Sequence, residues 1–241
     1  MCSHRRAMST ANLVQASAAK AMVVKLYNGE FERLSAAELE YWRAAEAAPV
    51  SDCLDRAMAM DAGISPLDPS MRLVGQAVTV LCMVGDNSAL HAAINEAQAG
   101  DVLVASAGGF LGAAVWGGLL TETAKRKGIA GLVVDGAVRD SEEIRAAGFP
   151  CFARGIVPAG PHKNFGGAIN RPIGCGGVGV SSGDLIIGDA DGVTVIPFDR
   201  ITETRAALEQ LQAREAKARA ALEAGGTLAE IYGVPEIQRV P

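Results

Sequence analysis

Apolar positions in this chain recur in two rhythms. Residues 73–82 (LVGQAVTVLC) alternate as a long strand does, and residues 100–109 (GDVLVASAGG) place a short buried strand between a Gly-Asp turn and a small-residue loop. Between them, a helix is expected from Ser88 to about Gln98, carrying His91. From Trp116 the pattern reads as a helix opening on Gly117 and Gly118, then an apolar strand over Gly131–Asp135. Gly136 is expected to start a tight turn that presents Arg139 and Asp140 at the strand's carboxyl end. A helix (SEEIRAAG) and a strand (PCFARG) follow. Residues 158–172 (PAGPHKNFGGAINRP) form a long Gly/Pro/Asn loop of the kind that often carries function. Residues 176–197 read as short strands split by Gly-Asp turns, a long helix runs from Asp199 to about Glu223, and a short one (TLAEIYG) closes the chain.

The N-terminal third is more helical in its expectations. Residues 11–29 suggest a short helix ending at Asn28-Gly29. A second starts at Ser35, where Ser35 and Glu38 have capping-box spacing, and its Ala and Glu content suits the outside of the molecule. A third is expected from Pro49 through SDCLDRAMAM, capped by Ser51 or Asp52, before a loop at Pro66–Pro69. Strand–helix–strand units at the centre and a strand meander near the end argue for a layered α/β domain with a mixed sheet. The expected division is a helical N-terminal extension (1–49), an α/β core (50–198) and a helical C-terminal extension (199–241) that packs on an adjacent subunit.

Composition narrows the function classes. Of 241 residues, 49% are apolar and only 5% aromatic, and the net charge is −5, so a basic, aromatic nucleic-acid surface is disfavoured. Five scattered cysteines (Cys2, Cys53, Cys82, Cys151, Cys175) have no CxxC spacing and read as reduced thiols of a cytoplasmic protein, with Cys82 and Cys151 as small core hydrophobes. No apolar run reaches the roughly 18–20 residues of a membrane span. The basic start (MCSHRRAMST) lacks a signal-peptide core and reads as a tail.

The chemistry gathers at Trp116–Asp140. Backbone amides at a helix start lack partners and attract anions. Beside them a cation, Arg139, and a carboxylate, Asp140, would suit a small carboxylate substrate held next to a divalent metal. Each residue also has a plainer reading. Asp140 could cap the following helix, Arg139 could pair with a neighbouring acid, and the glycines could serve close packing. Asn87 could form an Asx turn and His91 a surface position. Glu215 could be a solvated helix charge pairing with Arg219. Asp189, Asp191 and Gly192 read better as a tight turn than as a metal site. His162 and Lys163 sit in the long loop, where they could meet a distal carboxylate. No GxGxxG fingerprint is present.

GDNSALHAAINEAQAGDVLVASAGG, WGGLLTETAKRKGIAGLVVDGAVRD, FPCFARGIVP and GGVGVSSGDLIIGDADGVTVIP together resemble the RraA-like family, over about Val50 to Tyr232. The family is called after a regulator of ribonuclease activity, and its enzymatic branch is the class II pyruvate aldolases. The resemblance implies a swivelling β/β/α fold, homotrimers or hexamers with sites between subunits, and a Mg²⁺ or Mn²⁺ ion. It implies cleavage of 4-hydroxy-2-oxo acids to pyruvate and a second oxo acid, or decarboxylation of oxaloacetate through the same enolate. On this pattern Asp140 holds the metal, and Arg139 meets the keto oxygen. Amides at Gly117, Gly118, Leu119 and Leu120 take the substrate carboxylate, Asn87 lies near it, and Glu215 arrives from the adjacent subunit to activate water. One position departs: an acid common in the aldolase branch, twenty residues before the Arg, is Gly118 here, and Glu122 is the nearest substitute on the same helix. A non-catalytic regulator of a ribonuclease E-like protein is the alternative that Gly118 favours. A demethylmenaquinone methyltransferase is disfavoured, because no methyl-donor-binding strand–turn–helix is present.

Overall fold

The computed structural model describes residues 22–240. Its strands are β1 (Val24–Leu26), β2 (Ser65–Pro66), β3 (Leu73–Cys82), β4 (Val102–Ser106), β5 (Ala114–Trp116), β6 (Gly131–Val138), β7 (Cys151–Ile156), β8 (Gly167–Ile169), β9 (Ile173–Cys175), β10 (Val178–Val180), β11 (Leu185–Asp189) and β12 (Gly192–Ile196). The helices are α1 (Ala36–Arg43), α2 (Ala47–Asp52), α3 (Ser88–Glu96), α4 (Gly118–Lys127), α5 (Ser141–Ala146), α6 (Ile201–Glu223) and α7 (Leu228–Tyr232). β3, β4, β6 and β7 form a parallel block joined through α3, α4 and α5. β3 is long enough to serve two layers: its first half pairs antiparallel with β11, and its last residues pair with β8.

Alternation along the strands sorts side chains into two cores. On β4, Leu103 and Ala105 face the helices, while Val102 and Val104 face the meander; on β6, Leu132 and Val134 oppose Val133 in the same way. The first core includes Leu90, Ile94, Ala124 and Ile144 of the helices. The second includes Cys175, Val180, Ile186 and Val195. A third core joins the two ends of the chain, with Trp42, Val50 and Leu54 packed on Leu185, Ile187, Ile196 and Leu208. This mixed α/β architecture carries β1 at one edge of the sheet and α6 along the third core.

Several local expectations are corrected. Of the helix expected over residues 11–29, the part before residue 22 lies outside the described residues, and the rest holds a strand, β1, paired in parallel with β8. The helix from Ser35 has its capping box, but it stops at Arg43, and it buries Trp42 completely rather than lying wholly outside. The next helix spans Ala47–Asp52, so Ser51 and Asp52 end it instead of capping it. The reason is tertiary: Asp189 Oδ2 accepts from Ala47 N–H at 2.8 Å, and Thr194 Oγ1 donates to the Ala47 carbonyl at 3.0 Å. Asp189 also accepts from Asp191 N–H across the tight β11–β12 turn, as the turn reading of that acidic pair anticipated. Strand β6 runs through Gly136 to Val138 rather than turning there. Gly136 sits at a register shift, and a Cβ on it would lie 2.7 Å from Ala107 Cβ, so this glycine serves a close approach inside an irregular strand. Burial pushes the thiols of Cys82, Cys151 and Cys175 up to about 12, which leaves them inert; Cys2 lies outside the described residues. Among the described residues, no helix is long and apolar enough to cross a membrane.

Candidate active site

β5 and β6 are parallel neighbours, with Trp116 beside Val138. Their successors, Gly117 and the pair Arg139–Asp140, therefore emerge side by side although about twenty residues separate them. Trp116 anchors the junction. It is buried, its ring stacks on Phe149 at 6.0 Å, its Nε1–H donates to Thr121 Oγ1 at 2.7 Å, and its carbonyl accepts from Arg139 N–H at 3.0 Å. Strand pairing and this clamp fix where α4 begins relative to the Arg-Asp pair.

Asp140 is the residue preceding α5, and its backbone is left-handed (φ 54°), a conformation that Asp tolerates better than most residues. Its side chain does not cap α5. Instead Oδ2 accepts from Gly118 N–H at 3.0 Å and lies 3.5 Å from Arg139 Nε. Oδ1 has no donor among the described residues, and both side chains remain about two-fifths exposed (42% and 40%). Glycine at 117 leaves room for the Asp140 carboxylate, because a Cβ there would stand 2.5 Å from Asp140 Oδ2 and 3.1 Å from Arg139 Cγ. At Gly160 a Cβ would stand 2.9 Å from Arg139 Nη1, so the long loop also shapes the guanidinium's place.

The amide nest at the start of α4 is partly used. Gly118 N–H is taken by Asp140, and Thr121 N–H is the first to bond back into the helix, to the Gly117 carbonyl at 3.1 Å. The amides of Leu119 and Leu120 between them precede any intrahelical partner and face the positive end of the helix dipole. A cavity of about 100 Å³ adjoins them, lined by Asn87, His91, Trp116, Gly117, Leu119, Leu120, Arg139, Asp140 and Lys163 among others.

Asn87 enters this cavity from the start of α3. The Asx turn that could have occupied it is not made: its side chain caps nothing, the residue is only 4% exposed, and its buried Oδ1 has no hydrogen-bond partner among the described residues. Leaving such an acceptor unpaired costs about 1–3 kcal/mol, a cost that a bound donor would remove. Its neighbour Asp86, which sequence reasoning missed, does the local tethering. Asp86 is fully buried; Oδ1 accepts from Ser88 N–H at 2.8 Å, and Oδ2 accepts from Asn164 and Phe165 N–H at 2.7 and 3.0 Å. Asn87 N–H donates to the His162 carbonyl, and His162 N–H to the Gly85 carbonyl, so residues 85–88 hold the long loop against the site. Burial pushes the Asp86 carboxyl up, but hydrogen bonds from Ser88, Phe165 and Asn164 outweigh it and hold the pKa below the usual value. The Asp86→Ala variant is expected to lose about 3 kcal/mol at neutral pH, because the backbone N–H groups of Ser88, Asn164 and Phe165 lose the buried carboxylate that accepts from all three. A lowered native pKa stabilises above the unfolded value, near about 3.9, and that part is lost as pH falls through the native pKa. The gap between parent and variant in urea melts should therefore narrow in acid.

That tethering brings Lys163 to the cavity wall, while His162 contributes through its backbone and packs its ring on Phe165 at 5.1 Å. His91, one turn into α3, also lines the cavity. Burial first, and then the Lys163 ammonium, lower its pKa below the ordinary histidine value, with Asp86 opposing, which favours the neutral ring.

Two acids stand elsewhere. Glu122, the substitute considered for the acid absent at position 118, points to solvent and pairs with Arg126. The space beside Gly118 is instead filled by the carboxylate of Glu143 from α5. Glu215 does not reach the cavity within one chain. It lies on α6, 3.4 Å from Arg219, in a larger groove of about 850 Å³ formed with Asp52, Cys53, Arg214 and Tyr232. That groove is roomier, but the smaller cavity is the better candidate, because among the described residues it is there that open helix amides, a cation, a carboxylate and an orphaned buried acceptor meet.

A family model described as Aldolase/RraA matches residues 47–195. The chain belongs to the RraA-like family. A Halalkalibacterium halodurans relative named "Putative 4-hydroxy-4-methyl-2-oxoglutarate aldolase" is 45% identical over 167 residues, covering 68% of this chain and 80% of the relative. A solved Streptomyces coelicolor member of the RNase ES inhibitor RraA protein family superposes with a TM-score of 0.70 at 30% identity, over 78% of this chain and 99% of that one. The RNA-processing inhibitor RraA of Thermus thermophilis does so with a TM-score of 0.59 at 32% identity, over 64% and 93%. The RraA-like fold expected from the motifs is thus the fold observed, and it occurs in proteins named for two different activities.

Proposed function

We propose that this RraA-like protein is a divalent-metal-dependent carbon–carbon lyase that cleaves 4-hydroxy-2-oxo acids to pyruvate and a second oxo acid, and decarboxylates oxaloacetate. The observation that carries the proposal is one cavity holding Arg139, Asp140 with an open Oδ1, and the amides of Leu119 and Leu120. Among the described residues no three His, Cys, Asp or Glu side chains cluster as a complete metal site. A single carboxylate still fits Mg²⁺ or Mn²⁺, since Mg²⁺ keeps several waters and takes few protein ligands. Bound at Asp140, the ion would act as a Lewis acid on the substrate's keto oxygen. The 119–120 amides would hold the 2-oxo acid's carboxylate, and the Arg139 guanidinium would face the oxygen on which enolate charge develops. Asn87 Oδ1 would accept from the 4-hydroxyl. That proton leaves to a base as the C3–C4 bond breaks, C4 becomes a carbonyl, and protonation at C3 gives pyruvate. Glu215 of a neighbouring copy in a homotrimer or hexamer is the base we assign. The name of the Halalkalibacterium relative supports this reading.

Purified protein with Mg²⁺ and either oxaloacetate or 4-hydroxy-4-methyl-2-oxoglutarate should release pyruvate, and EDTA should stop it. No pyruvate from either acid would sink the proposal. Likeness to RNA-processing inhibitors keeps a second reading, a non-catalytic regulator of a ribonuclease E-like protein; capture of the nuclease by a preparation that turns over neither acid would select it.

Lys163 would meet a second carboxylate on the substrate. A charged hydrogen bond is worth about 1.5–3 kcal/mol, so Lys163→Ala is expected to raise KM for oxaloacetate roughly ten- to hundredfold with kcat little changed. Steady-state kinetics over a range of oxaloacetate check this.

A further inference from the structure

Gly118 is flanked by two carboxylates from the same short stretch. Asp140, just before α5, takes its N–H at 3.0 Å, and Glu143, three residues on, lays its carboxylate where a Cβ of residue 118 would stand. In a helix opening with an acid three residues after the cap position, that acid commonly reaches back to its own cap's N–H. Here no capping bond forms at the start of α5, and Glu143 crosses to the first residue of α4 instead. No salt-bridge partner neutralises it among the described residues; Glu142 and Glu143 are both exposed, but only Glu143 reaches Gly118. Two acids thus flank one backbone unit: Asp140 is paired with Arg139, while Glu143 borders a neighbouring hollow with Lys125 and Arg126 and makes no ion pair with either among the described residues. Like charges so placed favour a cation of higher charge between them or at their edge.

We propose that Glu143 is a positioning residue for the divalent ion at Asp140, accepting hydrogen bonds from the ion's water shell on the α4 side. The inference rests on the metal role given to Asp140 above. It also accounts for the glycine at 118, since any side chain there would evict Glu143. The site's second acid then comes from α5 rather than α4, and glycine is its counterpart. Partners that orient a metal's ligands typically change metal affinity about 10–100-fold when removed.

The test is titration of the full-length apoprotein with Mn²⁺ alone, by calorimetry, with thermal melts as a check on folding. Glu143→Gln removes the charge. Gly118→Ala removes the carboxylate another way: position 118 is helical without a positive φ, and the obstructing atoms are the end of a flexible side chain, so alanine should fold and push Glu143 aside. Each variant is expected to weaken Mn²⁺ binding roughly tenfold or more. The double variant should be no weaker than either single one, because both remove the same interaction. Additive losses, or a parent-like Kd in Glu143→Gln, would overturn the role of Glu143. If Asp140→Asn abolishes Mn²⁺ binding while both 118 and 143 variants bind like the parent, the metal reading stands and this inference falls. If the parent itself binds no Mn²⁺, both fall together.

Discussion

Asp140→Asn should cost at least about a thousandfold in pyruvate release, since a Lewis-acid metal supplies several kcal/mol and each 1.36 kcal/mol is tenfold. Asparagine is the informative replacement. It tolerates the left-handed backbone at φ 54°, where alanine would add strain of its own. Its side-chain oxygen can still accept from Gly118 N–H, so the junction between α4 and α5 should persist. What disappears is the charge at Oδ1, which no donor among the described residues satisfies. The check is kcat with saturating Mg²⁺ beside an unchanged circular dichroism spectrum and thermal midpoint. A variant turning over near the parental rate would remove Asp140 from the chemistry.

The regular elements that alternate cleanly were legible. β3 was expected at 73–82 and lies at Leu73–Cys82, because both its faces are buried and its ends are marked by turn residues. The box at Ser35 also identifies its helix, since a cap is a local device. What failed was set from far away. Ala47 starts its helix under the β11–β12 turn, through Asp189 and Thr194, and nothing near Ala47 announces it. Residues 24–26 are a strand only because β8 supplies an edge. Gly136 looked like a turn because strand-interior glycines are rare, yet its role is to let Ala107 approach.

The site divides along the same line. Arg139, Asp140 and the 117–120 amides come together because β5 and β6 are neighbours; the motifs suggest the grouping, but β5 itself is a strand where the sequence reads the start of a helix at Trp116. Asn87 and Asp86 show the limit: adjacent polar residues before a helix, and only packing decides which one tethers the loop and which faces the cavity unpaired. A sharper reading of Asp86-Asn87-Ser88 as an Asx turn centred on Asp86 would have found the tether. Glu143 had no such signal, because at three residues past Asp140 it is the ordinary place for a capping acid.

Arg139→Ala is expected to lower kcat by about 10²–10³, the usual effect of removing one donor aimed at developing negative charge. The guanidinium is held on one side by Asp140, with Nε 3.5 Å from Oδ2, and it abuts Gly160, where any side chain would crowd Nη1. Its backbone N–H is bonded to the Trp116 carbonyl, so truncation should leave β6 and α4 in register. Arg139→Lys should recover only part of the loss, because a lysine supplies one compact charge and cannot span Asp140 and substrate with a planar fork. The loss should fall on kcat more than on KM, since charge on the keto oxygen grows only as the bond breaks. Pyruvate methyl-proton exchange with deuterated water, followed by NMR, checks the same role without any carbon–carbon cleavage. Exchange that is fast in Arg139→Ala but slow in Asp140→Asn would assign enolate stabilisation to the Asp140 side alone, and Arg139 would then act in binding.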